Sequence, residues 1–217
     1  MSRSAAIFRQ ILFSIVFILG AALAYNALTY INFDFTYGFL RLKQKAIATG
    51  WYLPAYYAHV LIGGLILIIG FFQLHPTFGL KWRKVHRAFG YFYVMGILCF
   101  AAPGGLVMSF FIERGPLVLL SFITQASLWF FFTAMDFHRI RHRDIQAHRQ
   151  WMWRSFALTF AAITLRIYIF FCSYSIDLSQ PTAYATLAWL SWAPNLLIVE
   201  FYIRKKLRIQ RHQFTKS

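Results

Sequence analysis

Charge is what this chain has little of. Only 13% of its 217 residues are Asp, Glu, Lys or Arg, against about a quarter in soluble domains. A surface so poor in charge cannot be wetted over its whole area, which excludes an ordinary soluble globule and turns much of the exterior towards lipid. Cysteine is nearly absent. Cys99 falls mid-helix and Cys172 near the end of another helix, so they lie at different depths and no disulfide is expected. The motifs of soluble enzymes are missing too. The chain has no phosphate-binding glycine loop, no dinucleotide fingerprint, no CxxC and no Ser-His-Asp order outside the apolar segments.

What the chain does have is apolar and aromatic. Hydrophobic residues make up 59% and Phe, Trp and Tyr 20%. Six runs are long enough to cross a bilayer, at about 7–31, 55–74, 88–111, 117–137, 149–172 and 182–203, followed by a basic tail, 204–217. The expectation is an all-α polytopic membrane protein with six transmembrane helices in one bundle and a single membrane domain. The first run could be a signal peptide, since Ala22-Leu23-Ala24 resembles a cleavage site, but its apolar character continues past that point and it is read as a retained helix. Between the first two runs, Arg41, Lys43 and Lys45 alternate with apolar residues. A short helix lying in the interface and a plain loop both fit that pattern.

The net charge of +16 sits in short basic clusters between the apolar runs. This is the pattern of topology signals, and nucleic acid is not an expected partner. With both termini on one side, that side collects 17 of the 22 basic residues, among them Arg3, Arg9, Arg211 and Lys216. The asymmetry places both termini in the cytoplasm.

Polar residues within the spans fall on stripes. His148, Met152, Ser155, Thr159, Ala162 and Arg166 step by three and four residues, so they share one helix face, which is expected to point into the bundle. His59, Gly63, Ile66, Gly70 and Gln73 have the same spacing. Glycines there admit either a neighbouring helix or a flat ligand. Gln125, Trp129, Phe132 and Asp136 form an inward edge on the fourth span, and Asn195 and Glu200 are expected to pair across helices from the sixth. Pro103-Gly104-Gly105 is expected to bend or loosen the outer half of the third. Two polar layers follow: His59 and Arg166 near the outer surface, and Gln73, His86, Asp136, His148, Arg154 and Glu200 on the cytoplasmic side.

His59 with Gly63 and Gly70, the segment HRAFGYFY at His86, HRQWMWRSFALTFAAITLR at His148 and WAPNLLIVE at Trp192 together resemble a domain-of-unknown-function family of multi-pass bacterial membrane proteins. The resemblance covers roughly residues 55–200 and implies a location in the bacterial inner, or plasma, membrane. It implies no activity.

Three functional readings remain open, and with them whether the protein is an enzyme. The first is membrane electron transfer with haem b or quinone bound in the bundle. Facing helices can supply two axial histidines, while glycines make room for the ring and arginines neutralise propionates. The candidate cofactor-binding residues are His59, His86, His148, Arg166, Arg154 and Gln73, with His86 and His148 as the metal ligands; His59 and Arg166 are the donors of a quinone site. The arrangement loosely resembles transmembrane b-type cytochromes, but departs from their two histidine pairs because the outer layer offers His59 alone. A redox partner or a homo-oligomer would accompany this reading. The second is a metalloenzyme using His138 and His142, four residues apart, with His75, His86, Asp144 and His148 nearby. Interleaved arginines oppose a cation there, and the adjacent histidine pairs of membrane di-iron enzymes are missing. The third is a non-enzymatic transporter, lipid-binding or assembly protein; no inverted repeat supports the transporter form. For each histidine, anchoring at the headgroups or bonding between helices is the plainer role.

Overall fold

The computed structural model describes residues 3–75 and 77–214, without the side chains at 3, 5, 6, 9 and 209–214. Arg3, Arg9, Arg211 and Lys216, counted above for orientation, lie outside the described side chains. Among the described residues the protein is helix and turn throughout, with no strand, and six helical stretches are long and apolar enough to cross a membrane. The all-α, six-span reading therefore holds. The chain divides into two compact units, Met1–Phe111 and Ile112–Ser217.

Unit 1 contains α1 (Arg3–Leu28), α2 (Gln44–Ile47), α3 (Tyr52–Leu74), α4 (Phe78–Lys81), α5 (Arg83–Gly96) and α6 (Ala102–Ser109). Helix α1 leaves Phe8, Ile11 and Ile18 exposed, as side chains dissolved in lipid tails are. It runs into a 3-10 turn, Thr29–Asn32, which Phe33 ends at a left-handed φ of 53°. The connection read as either a loop or an interfacial helix holds two short helical turns, Leu40–Lys43 and α2. Leu40 and Ala46 from those turns are buried with Tyr30, Tyr52 and Tyr56. The Tyr30 hydroxyl accepts the N–H of Phe39 at 3.0 Å, so this connection is packed rather than loose.

The third span differs most from its expected form. It starts at Arg83 rather than 88 and ends at Ser109 rather than 111. Its irregular turn also lies before Pro103. Residues Ile97–Ala101 form a π-helical turn, in which the N–H of Ala102 reaches back five residues to the Ile97 carbonyl. Proline has no N–H to give the preceding turn, so the strain is relieved there by widening, while Gly104 and Gly105 remain helical in α6.

Unit 2 contains α7 (Pro116–Arg141), α8 (Ile145–Cys172), α9 (Pro181–Leu190) and α10 (Ala193–Phe214). Helix α7 begins where Gly115, at φ 95°, turns the chain and Pro116 supplies the preset φ of a first helical residue. Between α7 and α8, Arg143 takes a left-handed φ of 61°, and the Asp144 carboxylate then accepts the N–H of Ala147 at 3.0 Å as the N-cap of α8. The sixth span, expected as one helix, breaks at Ser191 and Trp192. Pro194 cannot bond to the carbonyl four residues back. The carbonyls loosened there are met by side chains: Ser191 Oγ donates to Ala188 O at 2.8 Å and Asn195 Nδ2 to Ser191 O at 2.9 Å. Cys99 and Cys172 are both free thiols, in agreement with the absence of a disulfide.

Candidate functional site

Each unit has a polar centre of its own. In unit 1 it is built around His59 on α3. Its Nδ1 lies 2.7 Å from the carbonyl oxygen of Ala101, the last residue of the π-helical turn. A carbonyl only accepts, so Nδ1 carries the proton and, in a neutral ring, the electron pair lies on Nε2. Glycines bring α6 against this residue. A Cβ at Gly104 would stand 2.6 Å from the Ala55 carbonyl and 3.0 Å from the main-chain nitrogen of His59, and one at Gly105 would stand 2.7 Å from His59 Nδ1. Further along α3, Gln73 Nε2 donates to the His86 carbonyl at 2.8 Å. The half-buried His86 ring lies edge-on to Phe78, 6.1 Å between centroids, and against Gly79.

Unit 2 holds a ladder of side-chain pairs between antiparallel helices α7 and α8. Its lowest rung joins Asp136, 1% exposed, to His148: Oδ1 and Nδ1 are 2.7 Å apart. Above it, the hydroxyls of Thr133 and Ser155 meet at 2.8 Å. Trp129 Nε1 donates to Thr159 Oγ1 at 3.0 Å, and Gln125 Nε2 to the Leu158 carbonyl at 3.4 Å. The break before α10 and α10 itself add two bonds, Trp192 Nε1 to Ser121 Oγ and Asn195 Nδ2 to Thr164 Oγ1, each 3.0 Å. Arg154 binds the Glu200 carboxylate through both Nε and Nη2, with its guanidinium 4.5 Å from the Trp151 ring centre.

The stripe on α8 is thus inward for much of its length. Met152, Ser155 and Thr159 are buried, while Ala162 is half-buried and Arg166 exposed. The expectation that this whole face points into the protein fails at Arg166. That residue lies about 9 Å before the end of α8 at ~1.5 Å per residue, within the reach of an arginine whose stem follows the helix towards the headgroups.

His59 and Gln73 share α3 and both bond to backbone oxygens of unit 1, and Gln73 binds beside His86. His148 and Arg154 share α8, each with a carboxylate partner. Asp136, which the sequence places in the polar layer but outside the candidate site, is the group that meets His148. Phe132 does face α8, its ring 5.6 Å from that of Trp151; the sequence reading lacked Thr133 beside it, which continues the steps Ser121, Gln125 and Trp129. Nothing in the sequence pointed to the Ala101 carbonyl. Of the metalloenzyme candidates, His138 and His142 are stacked at 4.2 Å between centroids, with His142 Nδ1 donating to the His138 carbonyl at 2.8 Å. Among the described residues, no three His, Cys, Asp or Glu side chains form a group able to hold a metal ion.

Chemically, the two histidines share one arrangement. An oxygen of the protein lies 2.7 Å from Nδ1 in each, and where Nδ1 carries the proton of a neutral ring the basic electron pair is on Nε2. That is how metal-ligating histidines are oriented, and it equally suits an acceptor of a proton or hydrogen bond. Comparison with curated proteins and with solved structures returned no match. A family profile does match residues 56–203, and the chain belongs to that family, described as predicted membrane proteins of unknown function (DUF2306).

Proposed function

We propose that the protein carries electrons within the membrane, with haem b or a quinone held at a half-buried imidazole. The observation that carries this reading is the Asp136–His148 pair. A carboxylate buried to 1% exposure in a membrane-spanning helix is costly and marks a functional site by default. Here it is spent on holding one imidazole in one orientation. His148 Nε2 is then suited either to ligate a haem iron or to take a proton from a quinol hydroxyl. His59, fixed by the Ala101 carbonyl in the same tautomer, is the second imidazole of this kind. Either group would supply the reversible electron change that the side chains of the ladder do not. A redox partner follows from the reading.

The basic asymmetry supports an orientation in the bacterial inner membrane with both termini cytoplasmic. Labelling of single cysteines introduced at Lys205 and Ser179, in intact cells and in inverted vesicles, tests it. Equal labelling of both positions in intact cells overturns that orientation.

The electron-transfer reading is tested on detergent-purified full-length protein expressed with ample haem. A Soret shift and an alpha band on reduction with dithionite are expected of the haem form, and both should be lost in His148→Ala. Without a haem spectrum, the quinone form requires ubiquinone or menaquinone to bind and His148→Ala or His59→Ala to weaken that binding. Failure of both leaves the two polar centres as helix-packing devices in a transporter, lipid-binding or assembly protein.

A further inference from the structure

The acidic side chains of unit 2 near the start of α8 all have partners. Asp136 holds His148, Asp144 caps Ala147 and faces Arg139 at 3.8 Å, and Glu200 is bound by Arg154. The nearby cations Arg149 and Lys206 have a different setting. Helices α8 and α10 run antiparallel there, with Arg154 opposite Glu200 and the Trp153 ring 5.8 Å from that of Tyr202. Between them is a groove of about 320 Å³, at the small end of ligand pockets. Arg149 and Lys206 belong to its wall together with Gln150, Trp153, Tyr202 and Leu207, and no carboxylate does. It lies at the end of both helices, where apolar spans give way to basic residues and where aromatic side chains meet headgroups in a bilayer.

We propose that this groove binds the phosphodiester headgroup of an anionic phospholipid, with Arg149 and Lys206 on the phosphate and Trp153 and Tyr202 against the glycerol ester region. Two cations with no acid in the wall favour a ligand of net negative charge over a zwitterionic one, whose ammonium would add a third positive charge. The volume suits a phosphoglycerol-sized head, and the apolar wall at Ile203, on the membrane side of Lys206, continues along the helices where acyl chains lie. A basic, aromatic recess at headgroup depth fits an amphiphile better than a soluble anion.

Native mass spectrometry of the full-length protein in detergent, titrated with phosphatidylglycerol or phosphatidylcholine, tests this. One retained phosphatidylglycerol is expected, with much weaker retention of phosphatidylcholine. Arg149→Gln with Lys206→Gln should weaken phosphatidylglycerol binding about twentyfold, and Lys206→Gln alone, at an exposed position that folding tolerates, about fivefold. Lys205→Gln with Arg208→Gln removes the same charge from α10 outside the groove and should leave binding within about twofold. The conservative pair Arg149→Lys with Lys206→Arg should retain it. Equal loss in the Lys205/Arg208 control, or equal binding of both lipids, overturns the site in favour of diffuse charge. Complete displacement by millimolar glycerol phosphate overturns it in favour of a soluble anion.

Discussion

The polar centres of the two units are held in different ways. In unit 1, His59 and Gln73 bond to backbone carbonyls, those of Ala101 and His86, and the geometry depends on glycines that let α6 approach α3. In unit 2, side chain meets side chain at Asp136–His148, Thr133–Ser155, Trp129–Thr159, Trp192–Ser121, Asn195–Thr164 and Arg154–Glu200. The difference teaches where each unit is vulnerable. Unit 1 should be damaged by adding atoms, and unit 2 by removing polar ones.

The largest effect is expected in unit 2. Asp136→Ala strips His148 of its acceptor and should destabilise the protein by about 3 kcal/mol, the size seen when a buried pair loses one partner. Unfolding by SDS in mixed micelles measures it. An unchanged midpoint would show that the pair contributes no stability and would remove the strongest point of contrast between the units. Asp136→Asn, which keeps the shape and one acceptor, should lose less.

Next comes the addition of a methyl group in unit 1. Gly104→Ala would place its Cβ 2.6 Å from the Ala55 carbonyl, a contact that backbone cannot yield without moving α3 and α6 apart. A loss of about 2 kcal/mol is expected in the same assay. Gly63→Ala is the control. Nothing lies within 4 Å of a Cβ there, so the substitution should be neutral or stabilise by up to about 1 kcal/mol through helix propensity. If both alanines behave alike, close approach is not what distinguishes unit 1.

A double-mutant cycle on Thr133→Val and Ser155→Ala should give a smaller coupling, about 0.6 kcal/mol, typical of hydroxyl bonds between membrane helices. Coupling near zero would reduce that rung to packing.

The smallest effect is electrostatic and lies in the connections. Asp34 accepts hydrogen bonds from the hydroxyl and N–H of Thr36, and Asp177 from the N–H of Ser179. These bonds favour the carboxylates and hold both groups below the ordinary aspartate value. A folded-state pKa below the unfolded one means that the contribution is present above the ordinary carboxylate range. It fades as pH falls through the lowered value. Side-chain carboxyl titration by NMR should therefore give midpoints below that of an aspartate in an unstructured peptide. Midpoints at the peptide value would remove these bonds from the account.

Much of the architecture was legible because it follows from local rules. Six spans, the starts of the fourth and sixth to within one residue of 117 and 182, and the inward Ser155 and Thr159 all come from hydropathy and the helical repeat. The misplacements have local causes as well. Thr133 is missing from the expected edge because one residue is a 100° rotation on a helix, and the face between Gln125 and Asp136 is wide enough to hold both Phe132 and Thr133. The widened turn before Pro103 was shifted because the lost N–H is felt by the preceding turn rather than at the proline.

The sequence by itself determined that this protein lives in a bilayer and which residues ride on the polar stripes of its helices, since both depend on composition and on a repeat of 3.6 residues. Only the tertiary structure decided which oxygen each imidazole meets. His148 takes a carboxylate twelve positions earlier on another helix, and His59 takes a main-chain carbonyl turned towards it by a π-helical turn. Those pairings depend on the rotation and depth of one helix against its neighbour, which no local periodicity encodes.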